Sequence, residues 1–226
     1  MKIVRCDSFV SSPWVMRWAV CLVHETILLL SLLIADAVQY FVNDASTSPF
    51  LRAAVDNGAH GLIAGCSWNV VILPEKLVHF LPSLLCCLLA CLIDVDHFLV
   101  AASWRLNDAT NLHRRPPFHA SLPLISLSAF VSVLRLYLHG ETAAVRGWPG
   151  WSVFCGPMAL VAVTSHHARD ALRRGIWLWP FHTTRHTPPL PAPLVYALTL
   201  TFPLFVSHCL YQPAARLASA DVGETV

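Results

Sequence analysis

The residues best suited to chemistry lie in Cys91-Leu92-Ile93-Asp94-Val95-Asp96-His97-Phe98, where an apolar run ends in two carboxylates and an imidazole. Ionisable groups are costly to hold beside a hydrophobic segment, so such a cluster is a functional-site candidate by default. Asp and His together suit a divalent ion such as zinc, manganese, magnesium or iron, and groups this close in sequence chelate with little loop entropy to lose. If the segment stays helical, Asp94 and His97 share a face and Asp96 points away. If it unwinds, Asp94 and Asp96 point the same way. The plainer alternative is a solvated helix end whose charges mark the membrane boundary.

Two further pairs have ligand spacing. Asp56 and His60 are four residues apart, as are His166 and Asp170, so each pair lies on one helical face and could be either a local hydrogen bond or two ligands for one ion. The stretch His113-Arg114-Arg115-Pro116-Pro117-Phe118-His119-Ala120-Ser121 sets two guanidinium groups beside imidazoles. Arginine forks hold phosphate or carboxylate oxygens bidentately, although a positive membrane flank has the same composition.

The elements that must position these groups are apolar helices. The chain has 226 residues, 56% hydrophobic and 12% charged, against roughly 25% charged in a soluble domain. This implies an all-α, polytopic transmembrane helix bundle. The expected spans are Trp18 to Val42, Ala53 to Leu73, Leu77 to Ile93, a fourth ending near Leu138, Trp151 to Leu172, and Leu194 to Tyr211. That makes about six, or five if the first is a cleaved signal, for which Lys2, Arg5 and Ala35-Asp36-Ala37 provide the pattern. Residues 1–17 form a short basic N-terminal segment, 18–211 a single transmembrane domain, and 212–226 a mobile tail. Pro74-Glu75-Lys76 reads as a turn, His79 as a boundary residue, 140–150 as a connection, and the run containing His182 and His186 as a turn-rich connector. Trp177 and Trp179 suit an interfacial segment. A net charge of +2 with no basic arm excludes a nucleic-acid partner. The 8 Cys residues include no CxxC pair and lie mostly in apolar runs, so they read as small buried hydrophobes.

With six alternating spans, the end of the first, start of the second, end of the third, start of the fourth and end of the fifth emerge on one side. Asp36, Asp56/His60, Asp94/Asp96/His97, Arg114/Arg115/His119 and His166/Asp170 sit at those places. Bundle packing can therefore bring them to one shared site.

The ordered motifs Asp56-Asn57 with His60, Ile93-Asp94-Val95-Asp96-His97-Phe98, Arg114-Arg115-Pro116 with Phe118-His119, and Thr164-Ser165-His166-His167 with Arg169-Asp170, Gly175, Trp177 and Pro180-Phe181 closely resemble the transmembrane protein 267 family. More distantly the chain resembles bacterial inner-membrane proteins of the YdjM type, regarded as metal-dependent hydrolases. That resemblance implies His60, Asp94, Asp96, His97, His119, His166 and Asp170 as metal ligands. The chain departs from the bacterial pattern where Arg114 replaces a first His, Pro116 replaces Gly, and Ser121 is displaced by one residue.

The resulting expectation is a hydrolase of a lipid or lipid-linked (phospho)ester using a divalent metal ion (zinc, manganese or magnesium). Asp96, Arg114 and Arg115 are the candidate catalytic residues, with Arg173 or Arg174 assisting at anionic oxygens. Its partners are membrane lipid and a lipid-like substrate. The main alternative is a non-catalytic membrane interaction or assembly protein with a structural metal or polar site. Ion transport along His24, Glu25 and Asp36 is a third. In the site so expected, His60, Asp94, His119, His166 and Asp170 share ligand-atom separations of roughly 4 to 8 Å.

Overall fold

The computed structural model describes residues 13–44, 46–73, 80–141, 152–179 and 186–212. The basic residues Lys2 and Arg5, the Pro74-Glu75-Lys76 turn, His79, most of the 140–150 connection, His182 and the tail beyond Gln212 lie outside them.

The first helix, α1 (Pro13–Val42), is 30 residues long and begins at Pro13 rather than Trp18. Ser48 caps α2 (Pro49–Ile72): its side chain accepts from the Leu51 N–H, and Pro49 occupies the first turn, where a missing N–H costs nothing. The third apolar run is divided. Helix α3 (Leu81–Ile93) stops at Asp94, which stays in the right-handed helical region with ψ at −11°, and α4 (Val95–Ala101) resumes at once. The carboxylate-rich motif thus sits inside a continuous span, Leu81–Ala101, rather than at its exit. Short α5 (Leu106–Thr110) and the 3-10 turn Pro117–His119 lead to α6 (Ser121–Glu141). Then follow α7 (Ser152–Arg174) and α8 (Ala192–Val206), which continues as a π-turn through Tyr211.

Helices Met16–Val42, Leu81–Ala101 and Ala192–Tyr211 are each long and apolar enough to cross a membrane. At 24 and 23 residues α2 and α7 also have the length, but they carry the polar side chains discussed below. They form the interior. One core joins α2, α3, α7 and α8 through Trp68, Cys86, Ala90, Val161 and Val206, and a second joins α1 to α2 through Leu28, Leu32, Ile63 and Val70. Apolar residues also dominate the outside: Leu22, Ile34, Leu88, Leu92, Phe130 and Phe205 are all more than half exposed. Water would penalise so continuous an apolar exterior, whereas lipid tails solvate it.

Close helix approach depends on missing side chains. A Cβ on Gly61 would lie 2.6 Å from Cys91 Sγ and 2.7 Å from Cys87 Sγ, and one on Gly156 would lie 2.9 Å from Ser132 Cα. Glycine at these crossings lets α2 meet α3 and α6 meet α7 almost backbone to backbone.

Candidate metal centre

Four separate pieces of chain deliver side chains to one point. Helix α2 contributes His60, the α3/α4 break Asp94, the 3-10 turn His119, and α7 both His166 and Asp170. His60 and His166 stack face to face, with ring centroids 3.9 Å apart. His119 Nε2 lies 3.4 Å from His166 Nε2 and 3.2 Å from Asp94 Oδ1. Asp170 closes the ring of donors, with Oδ1 3.7 Å from His60 Nε2 and Oδ2 3.6 Å from His119 Nε2. His60, Asp94 and His166 form one triplet and His119, His166 and Asp170 another, while Asp94 and His119 form a third with His97; within each, the ligand atoms lie within 4.8 Å of one another.

The break at Asp94 explains why this is geometrically feasible. Both sequence-based alternatives for the motif prove partial. His97 stands one turn from Asp94, as in a helix, at 3.9 Å. Asp94 and Asp96 nevertheless converge on the same imidazole, because Asp94 meets Nε2 of His119 and Asp96 Oδ2 meets Nδ1 at 3.4 Å. Asp96 is 1% exposed and also accepts the Phe118 N–H at 2.6 Å. It therefore fixes both the ring and the backbone beside it, and it belongs to none of the donor triplets. His97 lies on the rim, 3.2 Å from Asp96 Oδ1.

The hydrogen-bond partners of the rings bear on what the centre could hold. His166 Nδ1 is 3.1 Å from the Ala90 carbonyl, which only an N–H can satisfy. His119 Nδ1 likewise faces Asp96. In the neutral rings both Nε2 atoms then carry lone pairs, directed toward each other and toward two carboxylates. Such a donor set is repulsive until a cation enters it, so the residues present fit a divalent ion. Without one, a proton is the substitute: burial works against charge on His119, but its hydrogen bonds to Asp94 and Asp96 outweigh this and push it up to about 9.

The arginines separate. Arg173, on α7, grips Asp56 through Nη2 at 2.7 and 2.9 Å and lies 3.5 Å from Asp170 Oδ1. Arg115 donates to the Arg174 carbonyl at 3.4 Å and lies 6.0 Å from the Trp177 ring. Arg114 is exposed and lines an open polar hollow with Asn107, Asp108 and His113 instead of joining the centre.

Sequence reasoning gave no role to Arg169. It is 4% exposed, and its Nη1 donates to Asp36 Oδ1 at 2.7 Å while Tyr196 donates to the other oxygen of that carboxylate. Helices α1, α7 and α8 are clamped there, so Asp36 is engaged in a structural network rather than free along an ion path. An acid in one apolar span and an arginine in another was the available signal.

Comparison with known proteins agrees with this membrane architecture. The chain is 38% identical to the mouse (Mus musculus) transmembrane protein 267 over 169 residues, covering 74% of this chain and 73% of that one. It is 35% identical to the Xenopus laevis protein of that name over 75% and 74%, and 36% identical to the Danio rerio protein over 74% and 71%. The chain belongs to the transmembrane protein 267 family. It is an integral membrane protein, as the family's name and its three long apolar helices state together. No family model and no solved structure matches it.

Proposed function

We propose that this family member is a membrane-embedded, metal-dependent hydrolase of a lipid or lipid-linked ester. The observation that carries the reading is the convergence of the Nε2 atoms of His119 and His166 with the carboxylates of Asp94 and Asp170, at separations of 3.2 to 3.7 Å. His60, Asp94, His119, His166 and Asp170 would hold the ion. Three imidazoles with two carboxylates favour zinc or manganese over magnesium, which prefers an all-oxygen shell. A divalent ion bound there supplies a Lewis acid and lowers the pKa of water from about 15.7 to about 7.

The protein's own residues divide the remaining work. Asp96 orients His119 through Nδ1. Arg173, 3.5 Å from Asp170, is placed to neutralise an anionic ester oxygen at the same edge, where it replaces the Arg114 expected from sequence. The histidines are buried, while the side chains of Asp94 and Asp170 are 25% and 13% exposed. A substrate would therefore approach over the carboxylates.

Metal analysis of purified protein, followed by assays on a panel of phospholipids and lipid phosphates, tests this. His166→Ala and Asp94→Asn should abolish metal-dependent turnover while the protein still inserts and folds. If both variants instead lose folded protein in proportion to lost metal, the ion is structural and the hydrolase reading fails.

A further inference from the structure

Positive charge gathers at the edge of the metal centre beside Asp170. Arg173 and Arg174 follow Asp170 within one turn of α7, so all three share a helical face. Arg173 is taken up by Asp56, at 2.7 and 2.9 Å. Arg174 is exposed, and among the described residues no carboxylate lies within ion-pair distance of it.

Arg115 reaches the same place from another part of the chain. The Pro116-Pro117 turn that follows it has a fixed backbone. Its Nη2 donates to the Arg174 carbonyl at 3.4 Å, and its guanidinium lies 6.0 Å from the Trp177 ring centroid. The segment bearing Trp177 is itself pinned. Gly175, with φ at +68°, turns the chain so tightly that a Cβ would lie 1.9 Å from the Thr187 carbonyl oxygen, and Ile176 and Thr187 exchange hydrogen bonds at 2.8 and 2.9 Å. The two guanidinium groups are thereby brought into repulsive range. Burial and the Arg174 charge pull Arg115 below the usual arginine range, and Asp170 only partly offsets them.

Four carboxylates, Asp56, Asp94, Asp96 and Asp170, stand at the centre with three guanidinium groups, Arg115, Arg173 and Arg174. A divalent ion turns their single excess negative charge into a single positive one. A neutral carboxylic ester would leave that charge unmatched, whereas a phosphate matches it and offers oxygens to both the ion and the guanidinium forks.

We propose that Arg115 and Arg174 hold the phosphate group of a membrane lipid beside Asp170, which makes the substrate class of the centre a phosphate ester rather than a carboxylic ester. That this lipid is a substrate rests on the hydrolase reading above; that it binds rests on the two arginines. Arg114 takes no part, since it lines a separate hollow.

The test uses the full chain, purified in a non-ionic detergent and loaded with zinc. Calorimetric titration compares the phosphonate analogue of dioctanoyl phosphatidic acid, whose P–C bond resists hydrolysis, with dioctanoylglycerol, the same apolar body without phosphate, and with inorganic phosphate, the headgroup alone. The phosphonate should bind at least about tenfold more tightly than the diglyceride, and more weakly as salt rises. Arg115→Gln and Arg174→Gln should each weaken it about three- to tenfold, the value of one charge-assisted contact open to solvent, at unchanged zinc content; Arg114→Gln should leave it within about twofold. Arg115 also supports the end of α7 through the Arg174 carbonyl, so Arg174→Gln, which alters only an exposed side chain, decides the matter if Arg115→Gln fails to fold. Equal affinity for phosphonate and diglyceride, or a loss in Arg174→Gln no larger than in Arg114→Gln, would overturn the proposal and leave a plain basic membrane flank. Inorganic phosphate binding as tightly as the phosphonate would overturn it in favour of a free-phosphate site. Zinc-loaded protein that binds the phosphonate through both arginines yet hydrolyses no lipid phosphate would refute the hydrolase reading and support the phosphate site, so the two failures are distinguishable.

Discussion

Asp96→Asn is the most informative substitution at the metal centre, because the proposed division between ligand and orienting carboxylate turns on it. Asparagine keeps the volume of a side chain that is 1% exposed, and its carbonyl oxygen can still accept from the Phe118 N–H. What is lost is the negative charge beside Nδ1 of His119, 3.4 Å away. Removing a carboxylate that orients a ligating histidine typically costs 10- to 100-fold in metal affinity, which is about 1.4 to 2.8 kcal/mol. Removing a direct ligand such as Asp94 costs more and changes the ion's coordination. Competition titration of zinc against a chromophoric chelator, on detergent-purified protein, reads both. The expected order is wild type, then Asp96→Asn weaker by one to two decades, then Asp94→Asn weaker still. Equal losses in the two variants would make Asp96 a ligand, and no loss in Asp96→Asn would remove its orienting role; either outcome refutes the reasoning.

Four other outcomes follow from the same geometry. Because the metal-free protein holds His119 up at about 9, the ion must displace a proton, so apparent metal affinity should rise with pH up to about 9. The charged His119 stabilises the metal-free fold fully below its ordinary value near 6.5, and that contribution disappears as pH climbs through about 9; denaturation of chelator-treated protein across pH 6 to 10 checks the opposite trends. Arg173→Ala should raise KM or lower kcat for a phosphoester at unchanged metal content, whereas Arg114→Ala should leave both within about twofold. Asp36→Ala strands the buried Arg169 guanidinium and should cost about 3 kcal/mol of stability, at the low end for an uncompensated buried charge because Asp36 is itself part-exposed; metal bound per folded molecule should not change. Gly156→Ala should destabilise by about 1 to 3 kcal/mol, since the new methyl meets Ser132 backbone, which cannot swing aside; thermal unfolding in detergent measures it.

Much of the site was legible because helical spacing constrains direction. Asp56 with His60 and His166 with Asp170 are one turn apart, and alternation of the spans alone puts both pairs on one side. The structure brings His60 against His166 and Asp170 as that reasoning requires. Two features were hidden for physical reasons. The break at Asp94 leaves no glycine or proline in the sequence to announce it, since residue 94 remains near helical dihedrals. From periodicity alone, Asp96 was therefore indistinguishable from a ligand. Arg114 misled because a basic dipeptide next to a histidine looks like an anion site, whereas the Pro116-Pro117 turn that follows directs His119 inward and leaves Arg114 outside.

The placement of the centre also bears on whether it stabilises or reacts. A bundle that relied on the ion as a staple would need it where packing is otherwise poor, yet α2 and α3 pack one turn away through Ala64 and Ala90, and the same buried core continues along α2, α3 and α7 through Trp68, Cys86 and Val161. Helix α2 crosses α3 at Gly61, next to His60, at the closest approach the side chains permit. Arg169 with Asp36 and Arg173 with Asp56 tie the same ends, the first pair without using any of the five donors. Packing and these ion pairs can therefore hold the donors in place before an ion arrives, and the costs of burying three imidazoles and orienting one through Asp96 are met by the fold. On the proposed reading, a preorganised centre of that kind, with its two carboxylates as its most exposed members, would leave room for substrate beside the ion rather than close around it.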